Sequence, residues 1–360
     1  MSQLTRFGLV GYGWRAQYFL KLAALFPDRL QAAGVAVRRT ETGERARDRW
    51  KIPAYASPAE LIAHERPDFV ISSVPWAANP SVVRDLVEAD VPVLSETPPA
   101  PDLDGLRALW RQVGPSGLVQ VAEQYPLMPP HAARARLVAD GVIGRPTSVQ
   151  VSSTHLYHAV ALIRGLLQVG FEPATVHGHT FAAPLVDPLV RDAWTDDDTP
   201  KDAATTIATL DFGGAMGLYD FTDNQWHNQL RARRIVIRGS HGEIVDDQVI
   251  RLAEPRTIVR SPLIRRQTGY DLDLDGYDTA HLTFEGRVVY RNNLAGLRLS
   301  DEEIAISTLL LDMAAWCHDE GPAPYPLAEA CQDHLLALAI ESATTSGRTI
   351  TTTNESWNPE

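Results

Sequence analysis

Two cysteines in 360 residues, Cys317 and Cys331, are too few for a disulfide framework or a cysteine-based zinc site, so both are expected to be reduced thiols on helices. No segment approaches the ~18 consecutive apolar residues of a membrane span, and the N-terminus lacks a basic stretch leading into an apolar one. No membrane partner is expected, and the chain reads as cytoplasmic. Positive charge is also scarce: 33 Lys and Arg against 45 Asp and Glu leave a formal net charge of -12. A nucleic-acid surface needs clustered cations to neutralise phosphates, so no nucleic acid is expected and the partner should be a small polar molecule. Internal repeats and low-complexity tracts are missing too.

What is present is enough apolar residue, 44% beside 22% charged, for two globular domains with cores of their own. The stretch that organises the first is Phe7-Gly8-Leu9-Val10-Gly11-Tyr12-Gly13-Trp14-Arg15-Ala16. Residues 6–10 read as a strand, and residues 15–26 have the period of a helix stopped by Pro27. Between them, Gly11 allows a tight turn and Gly13 lets backbone approach a pyrophosphate. Ala16, at the place of a third glycine, lets the helix pack closely on the strand. The N–H groups opening that helix would then face the phosphates of a dinucleotide. Short glycine patterns also occur in ordinary turns, and the strand-turn-helix context is what favours the cofactor.

The alternation continues. Residues 30–37 form a second strand and 41–50 a helix, and where an NAD site would place an acidic residue for the ribose 2′-hydroxyl, Arg38 and Arg39 stand instead. Arginine suits a 2′-phosphate, so NADP is favoured over NAD; the plainer alternative is a solvated basic pair. Ser57-Pro58-Ala59-Glu60 is a capping box. Strands at 68–73, 92–95 and 118–122 alternate with helices at 80–89 and 103–113, completing a doubly wound parallel sheet with strand ends at Val10, Arg38, Val74, Glu96 and Glu123. Cofactor contacts are expected there, from Gly11 to Ala16 with Tyr12, Trp14 and Arg15, and from Arg38, Arg39, Val74, Pro75, Trp76, Asn79, Glu96, Thr97 and Glu123.

Past Gln124 the pattern changes. Tyr125-Pro126-Leu127-Met128-Pro129-Pro130 is a rigid connection, a helix follows at 131–140, and strands then dominate at 147–154, 205–212, 215–222, 234–238, 243–249 and 282–290. Helices are expected at 158–169, 302–318 and 328–346. The expected fold is α/β: a Rossmann domain over 1–123, an α/β domain with a large open, mostly antiparallel sheet over 124–348, and a polar tail over 349–360. His155, Tyr157 and His158 gather proton-exchanging groups near the start of a helix, and Tyr125 could add another phenol; taken singly, His155, Tyr157 and Tyr125 read more readily as packed core, whereas His158, at the helix start, reads as functional. Asp271-Leu272-Asp273-Leu274-Asp275-Gly276 imitates an EF-hand loop, but Leu282 stands at its twelfth position. His177 and His179 share a strand face without a further ligand nearby, so no metal is expected.

In the order and spacing of several pieces the chain resembles the Gfo/Idh/MocA family of NAD(P)-dependent oxidoreductases. The pieces are the 11–16 turn, Ser73-Val74-Pro75, Ser95-Glu96-Thr97-Pro98, Ile143-Gly144-Arg145-Pro146, Ile237-Arg238-Gly239-Ser240-His241-Gly242 and residues 342–348. The resemblance implies hydride transfer between the nicotinamide and a small polar substrate such as a sugar, cyclitol or related carbonyl or imine. It also implies a nicotinamide pocket between the domains and a homo-oligomer, dimer or tetramer, formed through the second sheet. Members usually carry Glu-Lys-Pro where Glu96-Thr97-Pro98 stands, and Asp-x-x-x-His where Thr154-His155-Leu156-Tyr157-His158 stands. Of the catalytic groups only the histidine remains, which makes His158 the expected acid/base, with Tyr157 or Tyr125 assisting and Thr97, His155 and His158 at the substrate. Two further readings stand beside this one: a nucleotide-binding sensor or scaffold of the same fold without catalysis, and a redox-assisted elimination or glycoside cleavage.

Overall fold

The computed structural model describes residues 4–190, 193–269 and 276–359. The EF-hand imitation at 271–276 falls, but for Gly276, outside the described residues. Contacts divide the chain into two compact units, one of Met1–Leu127, Leu299–Gln332 and Ser356–Glu360, the other of Met128–Arg298 and Asp333–Glu355.

The first unit opens with strict alternation: β1 (Thr5–Val10), α1 (Trp14–Ala23), β2 (Leu30–Ala36), α2 (Thr40–Trp50), β3 (Ala54–Tyr55), α3 (Pro58–Glu65), β4 (Phe69–Ser72), α4 (Asn79–Glu88), β5 (Val93–Ser95), α5 (Leu103–Val113) and β6 (Val119–Val121). The strands are parallel, in the order β3-β2-β1-β4-β5-β6. That is the Rossmann order, with a crevice at the carboxyl ends where the winding reverses beside β1. Phe7, Leu9, Phe69, Val70, Ile71, Val93 and Leu94 are wholly buried, as strands covered on both faces require. Of the capping box expected at Ser57 one arm forms, Ser57 Oγ accepting from the Glu60 N–H at 3.2 Å, while Glu60 Oε2 accepts from the Ala56 N–H at 3.1 Å, one residue earlier.

A linear division at residue 124 does not reproduce these units. The helix at Asp301–Cys317 groups with the first one and packs on α1, where Lys21 Nζ lies 2.8 Å from Glu303 Oε1. The polar tail is structural as well. Trp357 is 2% exposed and its Nε1 donates to Gln332 Oε1 at 2.9 Å, while Trp110 Nε1 donates to the Ser356 carbonyl at 3.0 Å. One tryptophan anchors a segment whose average composition is that of a loose end.

The second unit contains α6 (Pro129–Ala139), β7 (Pro146–Ser152), α7 (Leu156–Leu167), β8 (Thr175–Leu185), the short pair β9 (Leu189–Val190) and β10 (Ala193–Trp194), β11 (Lys201–Asp211), β12 (Met216–Thr222), β13 (Arg234–Gly239), β14 (Gly242–Val245), β15 (Gln248–Glu254), β16 (Thr257–Thr268), β17 (Asp278–Phe284), β18 (Arg287–Arg291) and β19 (Ile350–Thr351). The helix Asp301–Cys317 is α8, and α9 (Leu327–Ser346) runs from the first unit into the second. The sheet order is β18-β17-β16-β15-β14-β13-β7-β12-β11-β8-β19, antiparallel except where β7 meets β12. The expected strands 243–249 and 282–290 are each two strands. Asp246 (φ 51°) breaks the first, and Glu285 and Gly286 (φ 46° and 77°) break the second. In the second, positive φ at both central residues suits the twist of a two-residue hairpin, and in both the apolar alternation runs straight through so short a turn.

α7 covers β7 and β12 over Val149, Val151 and Tyr219. Gly217 is bare so that it can: a Cβ there would lie 2.7 Å from Ile163 Cγ2. The opposite sheet face leaves Phe181, Ile207, Leu252, Ile258 and Ile264 exposed. Among the described residues no helix is long and apolar enough to cross a membrane.

Candidate functional site

The turn after β1 separates its two glycines by cause. Gly11 has φ 98°, and a Cβ there would lie 2.1 Å from the Ser73 carbonyl oxygen, so the fold itself demands glycine. Its N–H donates to the Ala36 carbonyl at 3.0 Å. Gly13 is different. It caps α1 with φ -73° and ψ -175°, and a Cβ there would meet nothing within 4 Å. Among the described residues nothing requires that position to be bare. α1 also has no side-chain cap and no acidic residue in its first turn, which leaves its opening N–H groups and the positive end of its dipole available to an anion. Ala16 is fully buried beneath the turn.

Around the turn, Tyr12 is half-buried, Trp14 exposed and stacked on Tyr18 at 5.4 Å, and past β4 Val74 is half-buried while Pro75 and Trp76 are exposed. Arg38 and Arg39 follow β2, both exposed, with no hydrogen bond or ion pair from their side chains among the described residues. Arg15 faces inward instead. Its Nε lies 3.3 Å from Glu96 Oε1 and its Nη1 3.2 Å from Glu302 Oε1. With the Gln124 amide oriented to satisfy both its atoms, Arg15 Nη2 donates to it at 2.9 Å. Burial alone would lower the Arg15 pKa, but the two carboxylates outweigh it and hold it above its usual value.

Thr97 is half-buried in a cis Thr97-Pro98 peptide. Glu123 is 1% exposed and its Oε1 accepts from the Tyr125 N–H at 2.9 Å. Asn79, expected at the cofactor, is spent elsewhere. Its side chain is buried, donating to Ser95 Oγ (2.8 Å) and the Pro99 carbonyl (2.8 Å) and accepting from Ser72 Oγ (2.7 Å). It ties the ends of β4 and β5 together.

In the second unit a cluster of rings forms where β7 runs into α7. Leu156 holds φ 27°, its N–H donating to Tyr219 Oη at 3.2 Å, and this turn sets His155 just outside the helix and His158 in its first turn. A positive φ at a leucine is strained and is kept only where the surroundings enforce it. The imidazoles of His155 and His158 meet edge to face at 5.4 Å, and Tyr157 meets His158 at 5.4 Å and His334 at 6.0 Å. His155 is exposed, His158 8% exposed and Tyr157 5% exposed. Tyr157, expected as a proton donor, is thus packed inward, and it is His155 that reaches the surface beside His158. The atoms crowded round His155 desolvate it and, with His158, push its pKa down to about 4. With its pKa lowered, His155 is neutral near pH 7. Tyr125 lies in the first unit, in the 3-10 turn Tyr125–Leu127.

Sequence reasoning missed Trp226, which packs against both His155 and Phe221. A lone tryptophan in the polar run Asp223-Asn224-Gln225-Trp226-His227-Asn228 was the available signal. His177 bonds through Nδ1 to Thr349 Oγ1 at 3.0 Å, and among the described residues no group of three His, Cys, Asp or Glu could hold a metal.

Residues 5–123 match the model of the Gfo/Idh/MocA oxidoreductase family, described as an NAD-binding Rossmann fold. No curated protein matches the chain. Solved structures match it from end to end at low identity. An oxidoreductase from Agrobacterium radiobacter, in complex with NAD+, L-tartaric acid and magnesium, is 17% identical with a TM-score of 0.69, covering 96% of this chain and 98% of its own. A myo-inositol dehydrogenase from Corynebacterium glutamicum is 18% identical with a TM-score of 0.66, covering 98% and 100%. A levoglucosan dehydrogenase, in complex with NADH and levoglucosan, is 17% identical with a TM-score of 0.69, covering 97% and 99%. At such identities the likeness is one of fold.

Proposed function

We propose that this chain is a cytoplasmic NAD(P)-dependent oxidoreductase acting on a small polar substrate of the sugar or cyclitol kind. The observation that carries the reading is Gly13, bare at an uncapped helix start with open space where its side chain would be. The family match over 5–123 and the ligands named for the neighbouring structures support it. When bound, the nicotinamide supplies the hydride acceptor or donor. The turn at Gly11–Ala16 binds the diphosphate, with Trp14, Val74, Pro75 and Trp76 flanking it. Arg38 and Arg39, exposed and unpaired among the described residues, select a 2′-phosphate, so NADP is the preferred form. His158 takes the proton from the reacting hydroxyl at an imidazole nitrogen, or returns it to the carbonyl oxygen. Thr97 stands in the place where the family carries lysine and has a neutral hydroxyl in place of a charge. The open face of the second sheet, with Ile207 and Ile264 exposed, is the surface for self-association.

Calorimetry with NAD, NADP and their reduced forms, followed by nicotinamide absorbance over a panel of sugars and cyclitols, tests the reading. Binding of at least one nucleotide with turnover of at least one substrate is expected. Nucleotide binding with no turnover across the panel would leave the sensor reading in its place, and no binding at millimolar nucleotide would remove both.

A further inference from the structure

The ring cluster at the start of α7 has a member that proton transfer does not use. Trp226 stacks on Phe221, centroids 5.2 Å and planes 11° apart, and its indole lies 5.1 Å from the His155 ring. His155 and Phe221 are only 6.2 Å apart. Were His155 on the far side of the indole, that separation would approach the sum of the other two. His155 therefore stands beside the stack, and neither ring covers the indole face turned away from Phe221. His227 meets the indole edge-on rather than stacked, centroids 5.8 Å and planes 67° apart.

The platform is held rigidly. Gln225, 3% exposed, donates through Nε2 to the carbonyls of Ser152 and Ala232, both at 2.9 Å, and accepts from the Thr222 N–H at 3.0 Å. This bolts the turn carrying Trp226 to the end of β7. On the same strand end, Ser153 Oγ and Thr154 Oγ1 are buried without a hydrogen-bond partner among the described residues. Buried hydroxyls in native proteins are nearly always paired, so these two stand out at the end of the strand that Gln225 holds.

We propose that Trp226, flanked by His155, is a specificity-determining residue that receives the C–H face of a saturated polyhydroxylated ring, so that the site selects rings over open-chain polyols. This rests on the oxidoreductase reading of the same cluster and deepens it. A ring polyol gathers axial C–H bonds on one face, whose positive edge suits the negative face of an indole. An open-chain polyol has no such face and loses more rotational freedom on binding. The neutral His155 keeps the wall free of a charge that would hold water there.

Myo-inositol and sorbitol carry equal numbers of hydroxyls and differ in the ring. Each is titrated by calorimetry into the protein with and without saturating NADH, and NADH affinity is measured separately. The expected result is tighter binding of myo-inositol than of sorbitol. Trp226→Ala should weaken myo-inositol by about tenfold while leaving sorbitol within about twofold, and Trp226→Phe should restore most of the loss. NADH affinity should be the same in all three proteins. A wild type that does not prefer the ring, or a Trp226→Ala that leaves myo-inositol unchanged or weakens both polyols alike, overturns the platform. Failure of NADH to bind overturns the oxidoreductase reading instead, and the titration without nucleotide still decides the ring preference.

Discussion

Arg15 Nε lies 3.3 Å from Glu96 Oε1, joining the first turn of α1 to the carboxyl end of β5, and its Nη1 reaches Glu302 of α8 at 3.2 Å. The Arg15 and Glu96 side chains are 17% and 16% exposed, so the pair is largely desolvated, and removing one partner takes a poorly solvated ion-pair contact from the other. Arg15→Gln should cost about 2 kcal/mol in urea unfolding, and the double variant with Glu96→Gln should cost less than the sum of the two single ones. Full additivity would show that the contact holds nothing.

The two glycines of the turn should respond in opposite ways. Gly11→Ala drives a Cβ into the Ser73 carbonyl at 2.1 Å and forces strain at φ 98°, so a loss of about 2 kcal/mol or more in stability is expected. Gly13→Ala meets nothing within 4 Å, so the midpoint of unfolding should stay put while nucleotide affinity falls about tenfold or more. Unchanged affinity in Gly13→Ala would mean that the diphosphate does not approach this backbone.

Arg38 and Arg39 have no side-chain partner to lose among the described residues, so their removal isolates any contact with a ligand. Replacing both with alanine should weaken NADPH by about tenfold or more, on the scale of one or two charge-assisted hydrogen bonds, and leave NADH nearly unchanged. Equal losses, or a wild type that prefers NADH, would refute the phosphate assignment.

Stability should fall in acid through two histidines. His131, buried in α6, is desolvated and lies beside Arg134 and Arg233, which together push its pKa down to about 3 from 6.5. His155 is lowered in the same direction, to about 4. In both cases the unfolded chain binds more protons between the folded and unfolded pKa values, so stability present above about pH 6.5 is lost as pH falls toward 3 to 4. The urea midpoint should decline across that window, and His131→Gln should flatten the decline. An unaltered slope would show that His131 is protonated in the folded state.

The first sheet was legible because its strands are covered on both faces, so short apolar runs such as 68–73 and 92–95 mark them without help from tertiary context. β8 was read only at His177 and His179, and β16 not at all, because each sends one face to solvent and fills it with residues like His177, His179, Arg260 and Arg266, which blur any period. The hairpins at Asp246 and Gly286 hid inside continuous alternation. In the candidate site, Gly11, Ala16 and His158 stood out because backbone geometry and helix position restrict what can occupy them. Asn79 and Tyr157 misled because a polar or phenolic group near a motif looks the same in sequence whether it faces a ligand or a neighbouring strand. Trp226 escaped notice because its significance lies in contact with His155, far away in the chain.

The most direct measurement is transfer of deuterium from carbon-deuterated glucose or myo-inositol to NADP or NAD, read by mass spectrometry of the reduced nucleotide. Hydride transfer predicts label in the reduced nicotinamide with the wild-type protein. It also predicts a rate lower by about 100-fold or more in His158→Asn at unchanged nucleotide affinity. Unlabelled, unreduced nucleotide with the wild type, or an equal rate in His158→Asn, would contradict the account.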